Sequence, residues 1–584
     1  MIYDFYNQTS ELERYMPKFK LGKYQKKIDM RLSQIEEQQY VLRLWSKDAS
    51  LWGENKGEKT ITQSLGWLNI VEKTIAALPM LLKFESDIHS SGFKHIVILG
   101  MGGSSLSSFV YKKIIQKENQ GIPFTVLDTT DPEIILETEK LIPLENTLFI
   151  LASKSGTTVE PQALFEYFYD KLKQIKGESA GENFVAITDP GTMLVKQAKE
   201  LNFRQIFLNY SDIGGRYSIF TYFGIIPAIL MGVNVGELLE RTLLMVHECS
   251  AGVPLRKNPG AVLGGVLAEL VKQGRNKLTF FMPEEISPMK MWFEQLIAES
   301  TGKKGVGILP VSGDITSGNT FYGNDRIFVF INYAGVFDQE WSDKINSLEE
   351  EGHPVIIIEL DDIHDFGMEF FRWQFATAIS GAILNINPFD QPNVQQNKEN
   401  TEKILKTIES KGLLKEDKPL FIDKGLRFSG TTNGSVTAEA FLDDFFSLAV
   451  TGDYIGIQAY IPETIKTTSE IEKLRKFLEE NLHLASTSGF GPRYLHSTGQ
   501  FHKGGPNNGL FILLTGGNSV DIDVPGKPYT FGMLKNSQAI GDFKALQDHK
   551  RRVIKIDLGE DVSKGLYNLR ETIKTSLTLQ VKFV

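Results

Sequence analysis

Two short stretches of this chain carry residues whose types and spacing suit the capture of a phosphate. The first runs from Thr147 to Pro161, TLFILASKSGTTVEP. Its apolar run, Leu148 to Leu151, fits a strand buried on both faces of a parallel sheet. The chain then turns small and hydroxylic at Ser153, Ser155, Gly156, Thr157 and Thr158. After Pro161, which suits a first helical turn, the apolar spacing becomes helical. A strand passing through such a turn into a helix N-terminus presents free N–H groups, a favourable dipole and several hydroxyls to one anion. The second stretch, HIVILGMGGSSLSS from His95 to Ser108, repeats the plan with a glycine turn at Gly100, Gly102 and Gly103, then Ser104 and Ser105. Either turn alone is equally an ordinary helix-capping loop. Two of them at the ends of neighbouring strands would face one crevice, where open α/β sheets bind ligands.

Four further stretches carry groups able to act on a bound anion. In IGGRYSIF, Gly214 and Gly215 allow close backbone approach, and Arg216 follows, either entering a crevice or making a surface ion pair. SPMKMWFEQLIAESTGKKG reads as a helix with Ser287 as N-cap, Pro288 at its first position and Gly302 as its stop. Gln295 and Glu299, four apart, share one face of it, while Glu294 sits to the side as a solvated charge. NPFDQPNVQQNK makes a turn through Asn387-Pro388 and Gln391-Pro392, with a helix starting over Val394 to Lys398. GPRYLHSTGQFHKGGP is a Gly- and Pro-rich loop carrying His496, Gln500 and His502, and functional residues concentrate on such loops. A metal bound by His496 and His502 is a weak alternative, because no cysteine or carboxylate lies within the run.

Taken in order, these motifs resemble the phosphoglucose isomerase family of sugar isomerase (SIS) domains. The GxGGS turn, the SK-[ST]-x-TT loop, GGRYS, Q-x-x-x-E-S-x-G-K (ending at Lys303) and N-x-F-D-Q-x-x-V-x-x-x-K are all legible across residues 90 to 400. The resemblance implies reversible isomerisation of glucose 6-phosphate and fructose 6-phosphate through a cis-enediolate, in glycolysis and gluconeogenesis. It assigns Gly103, Ser104, Ser153, Lys154, Ser155, Thr158, Gln295 and Gln391 to substrate binding. Glu299 would be the base that carries a proton between C2 and C1, with Arg216 steadying the enediolate. Lys398 would assist a ring-opening histidine. No metal, redox group or other cofactor is implied.

The sequence departs from the family pattern in three places. Pro388 stands where a serine is usual, Asn397 where a glycine is usual, and the histidine context, G-x-x-x-x-H-x-x-x-Q, comes after the FDQ turn. Before that turn the interval offers only His353 and His364, neither in that context. His496 is therefore the expected ring-opening acid/base, preferred over His502. In this respect the chain resembles the isomerase half of bifunctional transaldolase/phosphoglucose isomerase proteins, without a transaldolase part. In the family a partner subunit lends each site its histidine. Here the expectation is a site completed within one chain, as a monomer or within a homodimer, across a linker spanning Gln395 to Ser435.

The elements that must position these residues follow from patterning. Residues 1–90 read as a helical N-terminal region, 91–250 as a first SIS domain and 251–400 as a second one carrying the glutamate. Residues 401–584 read as a C-terminal α/β domain carrying the His496 loop. The fold class is α/β, two doubly wound parallel sheets plus that additional segment. Hydrophobic residues make up 41% and charged residues 23%, with a net charge of -9, which argues against a nucleic-acid partner. One cysteine, Cys249, no secretory pattern at the N-terminus and no membrane-length apolar run point to the cytoplasm. Two rivals are a nucleotide-binding reading of GMGGSS, with Asp128 as ribose acceptor, and a non-catalytic sugar-phosphate regulator.

Overall fold

The computed structural model describes residues 15–53, 58–114, 121–313, 322–411, 418–430 and 434–581. Three sheets organise it. The first holds five parallel strands in the spatial order Phe124–Leu127, His95–Gly100, Thr147–Ala152, Phe184–Thr188 and Gln205–Leu208. Their near-continuous apolar character follows from burial on both faces. Ile96, Ile98, Leu148 and Ile150 enter one core, whereas the alternate residues Val97, Leu99, Phe149 and Leu151 enter another. That alternation is the two-residue period of a strand.

The second sheet is ordered Lys18–Lys20, Val355–Leu360, Arg326–Tyr333, Lys277–Phe281 and Leu309–Ser312, parallel except for its first member. The N-terminal region is otherwise helical, with Gln25–Glu37 and Ile70–Ser90 its longest helices. Its first fourteen residues lie outside the described ones. Lys18–Lys20 adds an antiparallel strand that covers the open edge of Val355–Leu360, and Lys18 reaches Glu359 at 2.6 Å.

The third sheet places a hairpin, Phe421–Asp423 and Leu426–Gly430, beside the parallel strands Arg552–Asp557, Gly509–Thr515, Tyr454–Tyr460 and Ala485–Phe490. One sequence expectation changes here. The stretch read as a linker, Gln395 to Ser435, contains the strands Phe421–Asp423 and Leu426–Gly430, and its first part belongs to the helix Pro392–Lys411. That helix is amphipathic. Leu405 and Ile408 are buried in the core beneath the first sheet, beside Phe531 and Leu534 of the third unit. The passage from the second sheet to the third thus begins as a packed helix. Residues 412–417 and 431–433 of the linker lie outside the described ones.

Buried charges fasten the third unit to the other two. Arg493 grips Asp128 with two parallel hydrogen bonds of 2.9 and 2.7 Å, and Lys535 meets Asp131 at 2.7 Å. Arg326 of the second sheet meets Glu479 at 3.0 Å. Glycine permits the closest approach. A Cβ on Gly302 would lie 2.4 Å from Phe501 Cα, so only glycine lets the end of the glutamate helix touch the third unit. Among the described residues no helix is long and apolar enough to cross a membrane.

Candidate active site

The register Gly100↔Ala152 sets the two hydroxyl-rich turns side by side at the C-terminal ends of the first sheet. Gly102 adopts a φ of +53°, and a Cβ there would lie 2.9 Å from His496 Cβ and 3.0 Å from Gln295 Nε2. At Gly103 a Cβ would lie 2.1 Å from the Gly215 carbonyl oxygen. The glycine turn is therefore the point where first sheet, glutamate helix, arginine turn and histidine loop converge. Ser104 and Ser153 are buried beside it, and Ser153 Oγ donates to Thr158 Oγ1 at 3.3 Å. Ser155 is exposed, and its Oγ accepts from the amide and the hydroxyl of Thr157 at 3.3 and 3.1 Å. Lys154 differs from the substrate-binding expectation. Its ammonium turns to Asp189 and the Ser211 carbonyl, because the partly buried Asp189 carboxylate draws the nearest cation.

The glutamate helix is not regular. It begins at Met289 without a cap from Ser287, widens into a π-helical turn over Glu294–Ala298, and closes with Glu299–Thr301. A preceding 3-10 turn, Glu284–Ile286, leads straight into it, and this displaces the expected Ser287 cap. Widened turns of this kind are frequent at functional sites. Glu299 is buried, with Oε1 3.4 Å from Arg216 Nη1 and with Oε2 lacking a hydrogen-bond partner among the described residues. Burial pushes its carboxyl above the usual glutamate value, against the pull of the Arg216, His496 and Lys303 charges and of a Gln295 side-chain hydrogen bond. Arg216 spends its remaining donors on Ser300 Oγ at 2.7 Å, Gln391 Oε1 at 3.2 Å, and the Pro388 and Asp390 carbonyls at 2.5 and 2.9 Å. Lys303 is buried beneath, 3.0 Å from Asp390 and donating to the Asn387 carbonyl at 2.5 Å; burial pushes its amine down to about 7. Glu294 is not a solvated charge. Burial and the nearby Glu472 push its carboxyl up to about 8.

The histidine comes from the third unit. A 3-10 turn, Arg493–His496, delivers it to the first sheet within the same chain. His496 Nε2 lies 3.3 Å from Glu160 Oε1, and its carbonyl accepts from Gln295 Nε2 at 2.9 Å. Glu160 is buried in the first turn of the helix Val159–Lys176. Burial alone would raise its carboxyl, but the hydrogen bond and charge of His496, with the charge of Lys398, hold it below the usual value. Lys398 itself is exposed on Pro392–Lys411. Gln538 Nε2 donates to the same Glu160 oxygen at 2.7 Å.

The other candidates stand apart. His502 is buried against Tyr454, whose hydroxyl lies 2.9 Å from Nδ1, and burial with Lys503 and Arg551 pushes its imidazole well below the usual value. His496 and His502 thus face different neighbours and do not share a ligand position. Gln500 clamps the Gly302 carbonyl at 2.9 Å and Asn393 Oδ1 at 2.7 Å. His353 packs on Arg275, and His364 sits with Asp362 and Glu237 around Arg241, away from the crevice. Asp128, the ribose acceptor of the nucleotide reading, is consumed by Arg493. Sequence reasoning missed Glu160 and Gln538, and gave no role to Ser300, the serine of the Q-x-x-x-E-S-x-G-K motif. Glu160 follows the hydroxyl run directly, yet an acidic residue there reads as an ordinary helix-start charge. Its partners lie more than three hundred residues away.

Comparison with known proteins gives a consistent picture. Residues 86–326 match the family model of phosphoglucose isomerase. The glucose-6-phosphate isomerase of Methanocaldococcus jannaschii is 29% identical over 350 residues, covering 54% of this chain and 85% of that protein. The glucose-6-phosphate isomerase of Parabacteroides distasonis is 26% identical over 392 residues, covering 58% of this chain and 87% of that protein. A crystal structure of a hypothetical protein from Thermus thermophilus shares the fold, with a TM-score of 0.56 at 22% identity. It covers 66% of this chain and 99% of that one.

Proposed function

We infer that this chain, which carries a phosphoglucose isomerase domain over residues 86–326, is a glucose-6-phosphate isomerase. It interconverts glucose 6-phosphate and fructose 6-phosphate, a step of glycolysis and gluconeogenesis, and its place is the cytoplasm. One observation carries the reading. A buried glutamate, one of whose oxygens has no hydrogen-bond partner among the described residues, and a buried arginine lie in the same crevice as a histidine–glutamate pair and a hydroxyl-rich anion cradle. Ser104, Ser153, Ser155 and Thr158 bind the phosphate, and Gly103 lets the turn close on it. His496, held by Glu160 and biased by the charge of Lys398, moves the proton that opens the hexose ring. Glu299 takes the proton from C2 and returns it to C1. Arg216 steadies the enediolate oxygens, with Gln295 and Gln391 placed beside the reacting carbons. No step requires a metal or a redox group.

The direct test is a coupled assay in which fructose 6-phosphate is converted and glucose-6-phosphate dehydrogenase reports glucose 6-phosphate as NADPH. NADPH formation that depends on this chain is expected, and its absence overturns the reading. The finer reading is that each site is complete within one chain. Arg493, Lys535 and Gln500 support it by fastening the third unit, which carries the histidine loop, to the first two. Mixtures of inactive Glu299→Gln chains and inactive His496→Ala chains, with exchange verified, are expected to regain nothing. Recovery of substantial activity would assign the histidine to a neighbouring subunit.

A further inference from the structure

The third unit brings more than a histidine to the crevice. Gln538 lies on the helix Phe531–Asp548, is 3% exposed, and makes two side-chain hydrogen bonds to the unit built on the first sheet. Its Nε2 donates to Glu160 Oε1 at 2.7 Å, and its Oε1 accepts from the buried Thr130 hydroxyl at 2.9 Å. The amide orientation is fixed by chemistry, since a carboxylate only accepts and Thr130 supplies the one proton the amide oxygen needs. Glu160 Oε1 is also the atom that faces His496 Nε2 at 3.3 Å. Two donors of the third unit, His496 and Gln538, thus converge on one oxygen of the first.

We propose that Gln538 is a positioning residue for ring opening: its amide fixes the Glu160 carboxylate so that the lone pair left on Oε1 points at His496. Without it the carboxylate is free to rotate about its last torsion and offer His496 a poorer acceptor. The imidazole then loses its orientation toward the ring oxygen. Among the described residues no hydrogen bond joins Gln538 to the phosphate hydroxyls, Glu299 or Arg216, so the proton transfer between C2 and C1 does not depend on it. The same helix carries Lys535, whose buried pair with Asp131 holds this register. The proposal rests on the isomerase reading above, and the experiment separates the two.

The test compares a substrate that must be opened with one that is always open. Fructose 6-phosphate closes its ring through O5, and 5-deoxyfructose 6-phosphate cannot. Gln538→Met keeps the volume of the side chain and removes both hydrogen-bonding groups, and Gln538→Ala serves as a second variant. The parent chain is first shown to isomerise fructose 6-phosphate, and failure at that stage counts against the isomerase reading alone. In Gln538→Met, kcat on fructose 6-phosphate should fall about tenfold, the scale of one hydrogen bond to a charged group, with KM within about twofold. On 5-deoxyfructose 6-phosphate kcat should stay within about twofold of the parent. Equal losses on both substrates would assign Gln538 a general structural role and overturn the proposal. An unchanged kcat on fructose 6-phosphate overturns it as well. If Gln538→Met lowers the melting temperature, the ratio of the two rates in Gln538→Ala decides in the same way.

Discussion

Two buried glutamates face the same crevice, and their surroundings push them in opposite directions. Around Glu160, two donors meet one oxygen, a histidine supplies charge, and Lys398 adds more at a distance. The carboxylate is held charged despite its burial. Around Glu299, one oxygen lies 3.4 Å from an arginine already committed to two carbonyls, a hydroxyl and an amide, and the other has no partner among the described residues. That carboxyl is pushed up and takes a proton readily. Residue type alone does not separate a base from an orienting anion. The number of donors per oxygen does, and it is set by which sheet each wall of the crevice comes from.

The largest effect should follow loss of the base. Glu299→Gln is expected to lower kcat by ~10²-fold or more, the usual scale for a positioned general base, with KM little changed. The loss should be the same on fructose 6-phosphate and on 5-deoxyfructose 6-phosphate, because C2-to-C1 transfer is common to both. A loss confined to the cyclic substrate would exchange the two roles. Glu160→Gln should cost about thirtyfold on fructose 6-phosphate, in the range of a charge-assisted hydrogen bond, and spare the acyclic substrate. Steady-state rates on the two substrates check both variants in one series, and equal losses in Glu160→Gln would erase the contrast.

The cradle provides the control. Ser155→Ala with Thr158→Ala should raise KM by about tenfold or more, from lost hydrogen bonds to a phosphate, while kcat changes less. Among the described residues neither glutamate is hydrogen-bonded to these hydroxyls, so this variant should move substrate affinity where the glutamate variants move turnover. An unchanged KM would remove the cradle assignment.

What the sequence revealed of this arrangement divides along the same line. Strands such as Leu148 to Leu151 and Gly509–Thr515 are legible because both faces are buried and their residues are continuously apolar. Ala485–Phe490, ASTSGF, and Leu309–Ser312, LPVS, escaped notice because edge strands tolerate hydroxyls, glycine and proline. Glu299 and Arg216 stood out through local patterns around them. The Glu160–Gln538 contact has no such signal. It joins residues 378 apart, each ordinary for the helix that bears it. The widened turn at Glu294–Ala298 was equally silent, since an α-helix and a π-turn draw on the same residues.

The smallest expected effect concerns stability, where the two glutamates should differ in sign. A carboxyl raised in the folded state binds its proton more tightly there than in the unfolded chain. Its contribution to stability is complete below the unfolded value and lost as pH rises through the folded value, so charged Glu299 weakens the fold at neutral pH. A carboxyl held low contributes above the unfolded value and loses that contribution as pH falls through the folded value, so charged Glu160 strengthens the fold at neutral pH. Glu299→Gln should therefore melt above the parent at neutral pH and Glu160→Gln below it, each by ~1–2 kcal/mol, the scale of one buried charge or charged hydrogen bond. Arg216 is not orphaned by the first change, because four other acceptors hold it. Acid should close the gaps in order. The Glu299→Gln curve merges with the parent once the pH falls below 4.5, the ordinary glutamate value. The Glu160→Gln curve merges only at lower pH, after Glu160 itself is protonated. Thermal melts of the three chains across that range provide the measurement. A Glu299→Gln chain that melts below the parent at neutral pH would mean its carboxylate is held as tightly as that of Glu160, and the contrast would fail.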